Sequence, residues 1–225
     1  MTKKYNPKQT VENILATAHA LFTTKGYEKT SMQDIVEALG MSKGAVFHHF
    51  KSKEDILDAV MNQQYGLVEA EMRGWFAELS HLTAKEKIQA LLLRNISDVE
   101  RMKAFNTLAI NMLGSPQLIL GVMQGNYEKS APVLAEVFRE GMEDGSITTD
   151  FPVECAEVFL LLYNIWCDTF IFEADFAAVH NRLLFLQQMM RNMGADIMTD
   201  EIVEASLNVV KTLNLEVVKW NQTHS

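Results

Sequence analysis

Between Gly40 and Glu54 the chain reads Gly-Met-Ser-Lys-Gly-Ala-Val-Phe-His-His-Phe-Lys-Ser-Lys-Glu. The side chains in this run offer anion and base-edge contact. Ser42, capping a short helix, can bond a phosphate, and an exposed helix N-terminus attracts anions. Lys43 can reach a phosphate or a guanine edge, and Ala45 can touch a thymine methyl. Lys51 and Lys53, at the start of the next helix, suit the clamping of phosphates. His48 and His49 also raise a metal reading. Adjacent residues point roughly 100° apart on a helix, so the pair cannot face one ion with good geometry. The expectation is that one histidine meets phosphate while the other packs. No metal, cofactor or catalytic residue is expected.

A helix of about seven residues is unstable alone, so its neighbours must hold it. Thr30-Ser31 opens a helix ahead of it, with Asp34 three residues after Ser31 and with Met32, Ile35, Val36 and Leu39 turned inward. Gly40 supplies the reversal, which favours positive φ. Small Ala38 would let the helices cross closely, and Met41 and Val46 would face back onto Ile35 and Leu39. This is the form of a helix-turn-helix, whose second helix carries its N-terminal residues to base edges while the first crosses the backbone. An earlier helix starts at Asn6-Pro7, with Gln9 completing a capping box, and stops at Gly26. A fourth, capped by Ser52 with Asp55, runs from about residue 52 to 79 with no Gly/Pro/Ser linker, a span of roughly 40 Å. Further helices are expected near 84–103, 105–113, 116–129, 131–143, 152–173, 177–193 and 200–221, with Pro116, Pro132 and Pro152 each at a start.

The chain carries a formal charge of −9 over 225 residues, but the charge is divided: +4 over residues 1–53 and −13 over the rest. A basic reader on an acidic body fits this asymmetry and restrains non-specific adhesion to DNA elsewhere on the surface. The N-terminus has no apolar run of the kind that directs secretion, and no 18-residue apolar stretch exists, so no membrane span and a cytoplasmic location are expected. Cys155 and Cys167 lie twelve residues apart in one expected helix, too far for a disulfide within it.

Residues 10–60 resemble the DNA-binding domain of the tetracycline-repressor (TetR) family. Ala18, Phe22, Gly26, Thr30, Ile35, Gly40, Ser42, Gly44, Phe50, Lys53 and Leu57 all sit where the family pattern wants them. The resemblance implies an all-α homodimeric transcription regulator, usually a repressor: an N-terminal helix-turn-helix head (1–53) joined by the long fourth helix to a helical ligand-binding and dimerisation domain (54–225). It places Thr30, Ser42, Lys43, Ala45, Phe47, His48 and Lys51 at DNA-contacting positions, and Ser31, Gly44, His49 and Lys53 complete the expected interface. Members commonly carry Tyr where this chain has Phe47, so a phosphate bond from that hydroxyl is missing.

The acidic body is rich in Met and aromatic residues at helical spacing. The plain reading of any one of them is core; together they form the kind of adaptable apolar set that lines ligand pockets between helices. The expected lining is Phe105, Met112, Met123, Tyr127, Phe159, Tyr163 and Trp166, and the expected effector small and hydrophobic. Asp168, in the same aromatic segment, reads either as a surface or interface carboxylate or as the counter-charge for a lipophilic cation. By resemblance the helices near 152–173 and 200–221 form the dimer pair. The expected function is a ligand-responsive repressor of a pseudo-palindromic double-stranded operator. The alternatives are an all-helical enzyme using the body's pocket, for which no phosphate loop, metal spacing or nucleophile motif is found, and a constitutive DNA-binding protein with an inert body.

Overall fold

The computed structural model describes residues 6–98, 116–169, 172 and 174–224, with side chains described through residue 212 except at 118. The expected helix 105–113 and the end of that at 84–103 lie outside these residues. Every regular element among those described is helical.

Three helices make the head: α1 (Pro7–Thr24), α2 (Met32–Leu39) and α3 (Lys43–His49). Their ends are fixed by side-chain caps, each worth about 1 kcal/mol. Asn6 accepts from the amides of Lys8 and Gln9. The expected reciprocal bond from Gln9 is not made; its amide donates to Asn13 one turn on, because Gln9 finds that acceptor at 3.2 Å on its own helix face. Ser31 and Asp34 do form a full capping box. Ile14, Ala18, Phe22, Ile35 and Val46 are at most 1 % exposed and form the head's core. Ala38 is exposed, so its small size serves no close crossing.

The fourth helix, α4 (Lys53–Glu78), starts at a Ser52–Asp55 capping box and runs unbroken. Its first turns give Ile56, Leu57 and Val60 to the head's core, and its last turns give Met72, Trp75 and Phe76 to the body's. The head's packing therefore extends beyond residue 53, and one rigid element belongs to both cores.

In the body, α5 (Ala84–Ser97) opens with a Thr83–Glu86 box. The expected break at Pro132 is absent. Instead α6 (Pro116–Gly125) continues through a π-helical segment, Asn126–Ser130, into α7 (Ala131–Asp144). Pro132 has no N–H to donate. The wider turn, in which Ala131 N–H reaches the carbonyl of Asn126, lets the helix continue through it. The expected helix 152–173 is shorter: α8 (Pro152–Leu161) passes into a second π segment, Leu162–Trp166. α9 (Phe176–Asn192) and α10 (Asp200–His224) complete the chain. α10 packs on α5 and α9. Ile202, Val203, Ser206 and Leu207 in its first turns are buried within the chain, so these residues need no second protomer to cover them. Cys155 and Cys167 are both buried free thiols, and burial pushes the Cys167 thiol up to about 11.

Candidate nucleic-acid interface

The turn between α2 and α3 is built by Gly40, which adopts φ 63° and lets the Met41 amide return to the carbonyl of Val36. Ser42 then caps α3, accepting from the amide of Ala45 at 3.3 Å. α3 is held by its one buried residue, Val46, which is 0 % exposed among Ile35, Val36 and the α1 side chains. With that anchor inward, Ser42, Lys43, Gly44 and His48 stand exposed, and Ala45, Phe47 and His49 are half-buried. A methyl group added at Gly44 would meet nothing within 4 Å, so the backbone there is open to close approach.

The basic side chains are already positioned. Lys51 Nζ donates to the carbonyl of Phe47 at 2.9 Å, placing its ammonium at the C-terminal end of α3. Lys53 Nζ donates to the carbonyl of Tyr27 at 2.9 Å and lies 4.0 Å above that ring, while the Tyr27 hydroxyl donates to Glu54. Each ammonium has further N–H donors for a phosphate. The rings of His48 and His49 meet edge to face at 5.2 Å, and no group of three metal-binding side chains occurs among the described residues.

Thr30 is a correction. It is 2 % exposed, and its hydroxyl donates to the carbonyl of Gly26 at 2.7 Å, so it ties α1 to α2 from within and presents nothing to a ligand. Ser31 remains at the surface, bonded to Asp34, which also pairs with Lys25 at 2.7 Å. That pair and the bonds from Ser31 hold the Asp34 carboxyl well below the usual range. A depressed carboxylate contributes stability above the unfolded range, and the contribution is lost as pH falls through the folded value. Thermal melts from pH 7 down to pH 3 should therefore show Asp34→Asn losing less stability than the native chain.

In the body, the expected pocket residues separate. Phe105 and Met112 lie outside the described residues. Met123 and Tyr127 line an open cleft of about 370 Å³ with Gln124, Asn126, Glu157, Val158 and Leu161, between the end of α6, the π segment and α8. Phe159, Tyr163 and Trp166 do not line it. Phe159 is 1 % exposed in the body's core and stacks on Tyr163, whose hydroxyl shares a 2.9 Å bond with Ser206 and is pushed up to about 12 by burial. Trp166 meets Phe185 edge to face. Asn126 and Glu157 were not expected at a site; the only signal was a polar residue between the apolar run of α6 and Tyr127.

A short, capped helix bearing Lys43, His48 and His49 sits on a three-helix head, and one continuous helix joins that head to an all-helical body. Residues 14–60 match the family described as bacterial regulatory proteins, tetR family. The head of the chain therefore carries the N-terminal domain of that family of regulatory proteins. It is 25 % identical over 159 residues to the transcriptional repressor AcnR of Corynebacterium glutamicum, covering 68 % of this chain and 77 % of that protein. It is 36 % identical over 74 residues to the A-factor receptor protein of Streptomyces griseus, covering 33 % of this chain but only 27 % of the receptor. A TetR-family transcriptional regulator from Mesorhizobium loti shares the fold, with a TM-score of 0.57 at 22 % identity over 93 % of this chain and 97 % of that one. AcnR and the Mesorhizobium loti protein are transcriptional regulators. No helix among the described residues is long and apolar enough to cross a membrane.

Proposed function

We propose that the chain is a ligand-responsive repressor that binds a pseudo-palindromic operator as a homodimer and is released by a small, largely apolar effector. The observation that carries this reading is α4, which contributes side chains to the cores of both head and body without a linker. A displacement of the body's end of α4 moves α3 with it. In a twofold dimer the two α3 helices would enter major grooves one turn apart, roughly 34–36 Å, or a multiple of that. A coupling of about 1–3 kcal/mol between effector and operator changes affinity about 5- to 150-fold.

The operator contacts proposed are Ser31, Ser42, Lys43, Gly44, Ala45, Phe47, His48, His49, Lys51 and Lys53. A second protomer would cover the outer face of α9, where Leu184 and Phe185 are 40 % and 56 % exposed, together with the neighbouring Trp166. This keeps the expected segment after Pro152 and the last helix at the interface and adds α9 to them.

The test is fluorescence anisotropy with duplexes from the DNA flanking the encoding gene. The native chain should bind one duplex at least 1,000-fold more tightly than random sequence, the lower bound for specific readout. Lys43→Ala should weaken that duplex by roughly tenfold or more without altering the thermal melt, since Lys43 is exposed. Lys51→Ala should lower the salt slope by about one ion. Weak, sequence-independent binding by the native chain would remove the reading.

A further inference from the structure

The cleft between the first π segment and α8 has a polar floor in an apolar frame. Met123, Tyr127, Val158 and Leu161 supply its walls. Asn126 is 8 % exposed, and its Oδ1 accepts from Asn164 Nδ2 at 3.2 Å. The other end of that amide, Nδ2, is enclosed and has no acceptor among the described residues. A buried donor left unpaired costs stability, and an acceptor brought by a ligand recovers it. Glu157 is the charged group of the lining and repels a carboxylate; no Lys, Arg or His joins it among the described residues. The volume, about 370 Å³, falls within the range of small-molecule sites, roughly 300–1,000 Å³.

We propose that Asn126 is the polar anchor of a small-molecule subsite in this cleft, whose ligand is an uncharged, largely apolar molecule of about bicyclic size carrying a carbonyl-type acceptor. The proposal rests on the ligand-responsive reading above and names the chemistry of its effector. Asn126 is also the first residue of the π segment, next to Gly125, on which the Tyr65 ring of α4 is seated. An occupant bonded to Asn126 therefore bears on a part of the body that packs against α4, and π segments recur at such functional positions.

The test uses three molecules of one shape: 2-acetylnaphthalene, 2-ethylnaphthalene and 2-naphthoate, titrated into the full chain by calorimetry. The ketone should bind roughly tenfold more tightly than the hydrocarbon, the value of one good hydrogen bond, and the carboxylate most weakly. Asn126→Ala should erase the preference for the ketone. Glu157→Gln, which alters only the rim, should raise 2-naphthoate affinity about fivefold and leave the ketone unchanged. Equal binding of ketone and hydrocarbon, or a preference that survives Asn126→Ala, overturns the proposal. So does the absence of any binding, the result expected if a second copy covers the cleft. Parallel anisotropy separates the two readings. Asn126-dependent ketone binding with unchanged operator affinity leaves the subsite and removes the effector role. Release of operator by a compound indifferent to Asn126 and Glu157 does the reverse.

Discussion

Gly125→Ala should lower the melting temperature by roughly 2–12 °C and weaken operator binding through a site far from DNA. A Cβ at this position would stand 2.1–2.2 Å from three atoms of the Tyr65 ring, well inside any tolerable contact. The ring cannot yield cheaply. Its hydroxyl donates to the carbonyl of Val122 at 3.2 Å, and burial raises the phenol well above its ordinary value. Moving it aside breaks that bond, worth about 1 kcal/mol, and overpacks the site at a further ~1–3 kcal/mol. Alanine's better helix propensity returns up to about 1 kcal/mol, leaving a net loss of about 1–3 kcal/mol. For a chain of this length each kcal/mol is worth about 2–4 °C. Gly74→Ala is the control: its Cβ would meet nothing within 4 Å, so stability should hold or rise. If Gly125→Ala melts within a degree of Gly74→Ala, the seat is not rigid. If it melts lower yet binds operator normally, α4 does not transmit the body's geometry to the head.

The head was legible because its determinants are local. Ser31–Asp34, Gly40, Ser42 and Ser52–Asp55 act across three or four residues, and the apolar spacing of Ile35, Val36 and Val46 identifies the buried side directly. Thr30 was misplaced although its acceptor, the carbonyl of Gly26, lies only four residues away, because residue type does not distinguish a buried tie from an exposed contact. Gln9 was misplaced by competition, since Asn13 offered an equally local bond.

The body was less legible because its determinants join distant residues. Helical periodicity barely changes when one turn widens, so Pro132 reads as a helix start although the helix continues through it. Tyr65 and Gly125 are sixty residues apart, and only their packing gives the glycine its meaning. Phe159 and Tyr163 carry the same apolar signal as Met123 and Tyr127, yet face the core while the others face a cleft. Composition identifies what could line a pocket; which helix faces remain uncovered is a tertiary fact.

The same distinction governs a second large effect, at Lys87. This ammonium, 3 % exposed, pairs with Glu140 across α5 and α7, but the Glu140 side chain is about half exposed. The two deletions should therefore be unequal. Glu140→Ala leaves a cation in a buried site with no partner. Its other acidic neighbour, Asp144, already accepts from the Ala84 amide and from Ser146. Breaking a buried pair from one side costs about 3–5 kcal/mol; with water reaching the Glu140 end, about 2–3 kcal/mol is expected. Lys87→Met should cost under about 1.5 kcal/mol, because the linear apolar chain fills the same space and the freed carboxylate turns to solvent. Urea titrations should show this as a lower midpoint for Glu140→Ala at an unchanged slope. Introducing Lys87→Met into Glu140→Ala should then restore most of the loss, since the cost lies in the unpaired charge and not in the missing carboxylate. Equal losses for the two single variants, or no rescue in the double, would place the energy in the ion pair itself.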